Sequence, residues 1–289
     1  MAATGQNESD FFRRAPGPLA WLVLAPLAAW LFLFVIVPTG MLVVLSFAEQ
    51  RGLGTIHYTW TLANYERAFQ WTWLKVLGIS VWFAVLTTVI CMVIGYPVAY
   101  FIGRSSPRMR NILITLVMIP FWTSFLIRTY AWITILSKEG LVNAFLIAAK
   151  IVPEPAALMY TPFASVLGLV YNYLPFMILP IYTSVERLDG AMIEAAHDLG
   201  AGPLRAFSKV IIPLTSPGIA AGVLLVFVPS IAMFAITNLM GGGSQPTIGD
   251  VIYKQFTSGR NQPFGAALGT ILLAIFVLAL WLTKKYRKA

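Results

Sequence analysis

Charge is what this sequence has least of. Asp, Glu, Lys and Arg make up 11% of its 289 residues, where a soluble domain carries about a quarter. Cysteine occurs once, as Cys91 in an apolar run, which excludes a disulfide or a thiolate metal site built from this chain alone. The two histidines, His57 and His197, are far apart and give no metal-ligand spacing, so no metal site is expected. There is no Walker loop, no His-Glu-x-x-His and no Ser/His/Asp arrangement. The chain therefore has no motif for hydrolysing ATP itself, and no cofactor is expected in it. What fills the sequence is apolar: 58% hydrophobic residues and a mean hydropathy of +0.79. That is the composition of an integral membrane protein.

A helix needs about 20 apolar residues to cross the hydrocarbon core. Five charge-free runs meet this: 20–46, 76–102, 161–183, 215–239 and 263–283. A sixth, 112–136, carries one charge, Arg128. The expected fold class is all-α, a polytopic membrane protein with six transmembrane helices and both termini on one side. The first run follows Arg13 and Arg14 but is too long for a signal peptide, and it reads as a retained helix. The organisation is a tail (1–19), one membrane domain (20–283) with a polar insert (184–213), and a basic tail (284–289).

Lys and Arg set the orientation. With the N-terminus inside, 12 of the 20 basic residues fall in short, dense cytoplasmic segments, among them Arg104, Arg108, Arg110, Arg187, Arg205 and Lys209. Seven fall in the longer outer segments 47–75, 137–160 and 240–262. The net charge of +9 is thus mostly a topological signal, and no nucleic-acid partner is expected. The partner is a lipid bilayer. Within the outer segments, 141–150 reads as a helix too short to span, Gly241-Gly242-Gly243-Ser244 as a flexible break, and 248–256 as a short amphipathic element.

The insert between the fourth and fifth runs is unlike its surroundings. Residues 191–199 combine strong helix formers with apolar spacing at Met192, Ala195, Ala196 and Leu199. Gly200 sits where a helix C-terminus favours a left-handed residue. Pro203 is placed to open a second short helix, where a missing N–H costs nothing, and Pro213 is expected to stop it. The pattern predicts a helix, a Gly turn and a helix across the cytoplasmic face. Small Ala195 and Ala196 allow a partner close approach, and Glu194 adds a charge.

Glu194-Ala195-Ala196, three residues, Gly200, nine residues, then Val210-Ile211-Ile212-Pro213 resembles the EAA loop of permease subunits of bacterial ABC importers. The family pattern is E-A-A-x3-G-x9-I-x-L-P, with Val210 and Ile212 as mild departures. Thr61-Leu62-Ala63-Asn64-Tyr65 is similar to a segment after the first span of such permeases. The stretch from Pro120 to Trp132 resembles the third span of the spermidine/putrescine permeases, specifically the first of their two membrane subunits, with Leu174-Pro175-Phe176 and Leu239-Met240-Gly241-Gly242 pointing the same way. The resemblance implies a type I importer fold and a coupling role for Glu194, Ala195, Ala196, Asp198, Gly200, Arg205 and Pro213. It further implies a second permease subunit, two ATP-binding subunits that hold the ATP and Mg, and an extracytoplasmic binding protein. The implied cargo is a small amine, spermidine or putrescine, and the implied location is the bacterial inner membrane with cytoplasmic termini. One departure concerns the fifth span. Many relatives carry Gly, sometimes followed by Glu, after its Pro-Ala or Pro-Ser; here Pro229-Ser230-Ile231-Ala232-Met233-Phe234 has neither.

Pathway candidates follow from charge and aromaticity. A charge inside a membrane is a functional hypothesis by default, and Arg128 is the one such charge in the runs. It reads as a gate or vestibule contact, as a carbonyl cap or salt bridge inside the bundle, or as a side chain that snorkels outward. No Asp or Glu lies within any run, so a cationic cargo has aromatic faces as the alternative. Trp122, Tyr130, Trp132, Tyr173 and Phe234 are the candidates. Tyr171 and Tyr173 are two apart and face different sides of a helix. Pro120, Pro175, Pro180 and Pro229 interrupt spans, as hinges or as packing kinks. The rivals to an importer permease are a stand-alone secondary transporter or channel, a membrane-embedded enzyme, and an importer permease for another small solute, such as an amino acid derivative.

Overall fold

The computed structural model describes residues 18–52, 55–243, 245–259 and 261–286; Arg13, Arg14, Ser244, Arg260, Arg287 and Lys288 lie outside them. Helix α1 (Pro18–Leu31) runs through a π-helical turn (Phe32–Ile36) into α2 (Val37–Ser46). From Leu24 to Ile36 every residue is exposed, so this half of the first span stands clear of the chain's own bundle.

The segment that follows departs from the all-α expectation. Strands β1 (Glu49–Arg51) and β2 (Thr55–His57) pair antiparallel, Glu49 opposite His57. Gly52 turns the chain at φ +64°, a conformation cheap only for glycine. Helix α3 (Ala63–Ala68) is fastened to the end of the first span. The Asn64 amide donates to the Ser46 and Ala48 carbonyls (3.0 and 2.7 Å), and the Tyr65 hydroxyl lies 2.6 Å from the Ser46 hydroxyl.

The centre is three helices. They are α4 (Trp71–Arg104), α8 (Pro162–Glu186) and α11 (Ile212–Ala232). Their shared core holds Cys91, Ala99, Leu169, Met177, Ile181 and Val226, all fully buried. Without a hydrophobic drive between helices in lipid, close packing at small residues does the work. A Cβ at Gly222 would sit 2.8 Å from the Met177 sulfur, and one at Gly218 would strike the Pro180 carbonyl and Ser184. Buried Tyr96 and Thr215 join α4 to α11 through their hydroxyls at 3.0 Å.

The third crossing is composite, which corrects the single helix expected over 112–136. It comprises α5 (Pro107–Met118), a 3-10 turn (Ile119–Trp122) and α6 (Phe125–Leu136). Pro120 has no N–H to give, and the Thr123 hydroxyl takes its carbonyl at 2.9 Å. Ser124 then caps α6 by accepting from the Leu126 N–H at 3.3 Å. This pair of helices lies along α8: Arg110 at its start bridges Glu186 at the end of α8 (2.5 Å), and Arg128 on α6 donates to Asn172 midway along α8. Helix α7 (Leu141–Ala148) follows, and Asn143 ties it to Ser137 and Ala156.

Pro175 and Pro180 do not break α8, and Pro229 does not break α11. The fifth run breaks four residues after Pro229, at Met233 and Phe234, before α12 (Ala235–Gly241). Gly242 and Gly243, both at positive φ, end α12. Then come α13 (Ile248–Phe256), as the sequence pattern predicts, and α14 (Gln262–Tyr286). Among the described residues, five helical stretches are long and apolar enough to cross a membrane, and Gln262–Leu278 is a shorter apolar one.

Candidate coupling hairpin and transport face

The insert folds as helix α9 (Gly190–Asp198), a tight turn and helix α10 (Pro203–Ala206). Asp189 caps α9 by accepting from the Ala191 N–H at 3.0 Å. At the other end the Gly200 N–H donates to the His197 carbonyl (2.9 Å) and the Ala201 N–H to the Ala196 carbonyl (3.0 Å), with Gly200 at φ +78°. This reciprocal pair is the Schellman arrangement, which needs a residue tolerant of the left-handed region. Gly202 and Pro203 start α10, as expected from proline's missing donor.

Pro213 does not end the second helix. A π-helical turn (Phe207–Ile211) carries α10 straight into α11, and the Ile212 N–H donates to the Phe207 carbonyl. Widening the helix by one residue there shifts the hydrogen-bond register just ahead of the residue that has no N–H to offer. The hairpin is thus continuous with the fifth span.

The hairpin presents apolar side chains to the outside. Leu199 is 88% exposed and Leu204 82%, and Met192, Glu194, Ala195, Asp198 and Arg205 are exposed as well. Ala196 is half-buried. Leu204 and Arg205 border a shallow depression with Pro203, Ser208 and Lys209. The base of the hairpin is anchored. Arg110, besides meeting Glu186, donates to the Gly103 carbonyl at 3.3 Å, and Arg104 donates to the Leu188 carbonyl at 3.5 Å. Between α4 and α8, a Cβ at Gly103 would approach Val185 to 2.6 Å. The start of α9 is thus tied to the ends of α4 and α8, and α10 runs on into α11.

The aromatic candidates do not converge on one site. Trp122, at the end of the 3-10 turn, and Tyr130, on α6, are exposed. Trp132 packs edge-on against Tyr171 with ring centres 5.4 Å apart. Tyr173 is buried in the chain's own core, so it faces no open path, and the two tyrosines diverge as their spacing requires. Arg128 is a carbonyl cap. Its Nε donates to the Asn172 amide oxygen at 3.1 Å, its Nη1 donates to the Pro120 carbonyl, and its guanidinium lies over Phe121 at 5.4 Å. It adds a charged donor to a carbonyl that the Thr123 N–H and hydroxyl also reach. Phe234, at the break before α12, stacks on Tyr253 with ring centres 4.5 Å apart and planes 14° from parallel.

One acid escaped the sequence pattern because it lies outside the apolar runs. Asp250 on α13 is 3% exposed, accepts from the Asn238 amide at 2.9 Å and pairs with Lys254 at 2.7 Å. The available signal was Thr247-Ile248-Gly249-Asp250, a Thr-x-x-Asp start to an amphipathic helix. The Thr247 hydroxyl indeed accepts from the Asp250 N–H at 3.4 Å.

The helices pack around a tight centre, and an anchored hairpin stands exposed at one end of it. Residues 95–288 match the family model of the binding-protein-dependent transport system inner membrane component. The chain is 40% identical over 263 residues to the spermidine/putrescine transport system permease protein PotB of Salmonella typhimurium (strain SL1344), covering 90% of this chain and 92% of that one. To PotB of Escherichia coli (strain K12) it is 40% identical over 262 residues, covering 90% and 95%. To the inner membrane ABC transporter permease protein YdcU of the same strain it is 32% identical, covering 77% and 74%. The fold is similar to a chain of a bacterial ABC transporter involved in the import of the acidic polysaccharide alginate, with TM-score 0.73, 18% identity and coverage of 92% and 95%. The chain belongs to the family of binding-protein-dependent transport system inner membrane components. That membership sets aside the stand-alone carrier and the membrane enzyme.

Proposed function

We propose that the chain is the membrane-spanning permease of an ATP-driven importer for a small polyamine, spermidine or putrescine. The observation that carries this is the 40% identity to the PotB permeases over nine-tenths of both chains. An extracytoplasmic binding protein delivers the amine, and a second permease of similar fold completes the path. Two ATP-binding subunits seat the α9–α10 hairpin, with both termini of this chain in the cytoplasm of a bacterial inner membrane. Closure of those subunits on ATP pushes the hairpin, the push enters α11 without a joint, and the spans rock between outward and inward access.

Support for the coupling role is physical. Leu199 and Leu204 are large apolar side chains held almost wholly in solvent by a rigid, capped turn, the property of an interface awaiting its partner. Cargo identity is less tightly tied to the fold, because one scaffold hosts many cargoes and the apolar runs lack an acid. Reconstitution with the partner subunits tests both. Amine-stimulated ATP hydrolysis across a panel of amines and amino acids identifies the cargo. Glu194→Lys is expected to release the ATPase and abolish uptake; wild-type uptake with the ATPase still bound would sink the coupling assignment.

A further inference from the structure

We propose that Asp250 is an ammonium acceptor on the cargo's route through this subunit, and that Lys254 occupies it as a resident stand-in until cargo arrives. The inference rests on the amine-import reading above.

The site joins two helix faces at the break in the fifth span. Phe234 and Asn238 are four apart at the start of α12, and Asp250, Tyr253 and Lys254 are spaced i, i+3 and i+4 on α13, so each set shares one face. The faces meet twice: Phe234 stacks on Tyr253, and the Asn238 amide donates to Asp250. The result is a carboxylate beside a stacked aromatic pair, at the end of α11 opposite the coupling hairpin. That combination suits a linear polyamine. A carboxylate takes a primary ammonium by charge-assisted hydrogen bonds, and an aromatic face takes methylenes or a second ammonium.

The hydrogen bond to Asn238 does not need the charge, which sits in the first turn of α13 where the helix dipole favours an acid. Asn238 is a donor, and a neutral amide at position 250 would accept from it equally well. An enclosed carboxylate instead carries a desolvation cost that has to be met by a cation. Here the cation is Lys254, whose side chain is half exposed and whose head is a primary ammonium, chemically the same group as the end of the proposed cargo. Exchange of one ammonium for another leaves the carboxylate paired throughout. The aromatic pair, which Lys254 does not use, supplies the cargo's advantage.

The test is uptake of labelled spermidine by the complete complex in proteoliposomes, comparing wild type, Asp250→Asn and Lys254→Gln. Asp250→Asn keeps an acceptor for Asn238 and is expected to raise KM on the order of tenfold, the scale of one charge-assisted contact. Lys254→Gln removes the competitor from a half-exposed position and is expected to lower KM by about threefold, the scale of a partly exposed ion pair. A purely structural pair predicts the reverse for Lys254→Gln, an unchanged or raised KM, and that result overturns the proposal even if Asp250→Asn fails to assemble. If the wild-type complex transports no polyamine, the import reading has failed; if it transports normally and Lys254→Gln leaves KM where it was, only this inference has.

Discussion

Leu199 is the position at which the coupling hairpin can be weighed. Its side chain is 88% exposed and sits on the capped turn between α9 and α10, so replacing it by Ala removes nothing from the permease's own core. Fold stability should move by no more than about 0.5 kcal/mol, as for an ordinary surface change. Against a partner the same change deletes three carbons' worth of burial. At about 0.8 kcal/mol per CH2 that is roughly 2.4 kcal/mol, or about a 50-fold rise in Kd for the ATP-binding subunit. The assay is equilibrium binding of the purified ATP-binding subunit to the permease pair in nanodiscs, with thermal unfolding of the permease pair alone as control. A Kd within twofold of wild type would refute the reasoning, because it would leave the most exposed apolar side chain of the hairpin outside the interface. A lost melting transition would refute it differently, by showing that Leu199 is needed for the fold.

Two other changes probe the bundle. Gly218→Val should destabilise by at least the 1–3 kcal/mol typical of overpacking, about that range or more, since even a Cβ there meets the Pro180 carbonyl and Ser184; a purified variant melting at the wild-type temperature would contradict the close α8–α11 contact. Arg128→Ala leaves the buried Asn172 amide oxygen without its donor, while Thr123 still serves the Pro120 carbonyl, a loss of about 1–3 kcal/mol for one enclosed group. Lowered thermal stability is expected; lost uptake with unchanged melting would instead favour the gate reading of Arg128.

Features set by local chemistry were legible in the sequence. Apolar length gives the crossings because a bilayer demands about 20 such residues wherever they sit. The Gly200 turn and the Pro203 start were legible because backbone conformation at glycine and proline is decided within one or two residues. The element at 248–256 was visible from its amphipathic spacing, which is likewise a local property. Arg128 was half legible: the charge stood out, but its choice between gate and cap waited on Pro120 and Asn172, eight and 44 residues away.

The sequence by itself determined that this chain crosses a membrane several times, that it has no ATPase motif, and that it carries a polar helical hairpin between its fourth and fifth spans. Only the tertiary structure decided that Pro213 leaves the hairpin rigidly joined to α11, that the third crossing is two helices held by a guanidinium, that Tyr173 turns inward, and that Asp250 is enclosed beside an aromatic stack. The division is physical. Apolar length and turn chemistry act along the chain and are written in it. Hydrogen-bond register, burial and ion pairing depend on which distant segments the packing brings within about 3 Å, a reach no local pattern encodes.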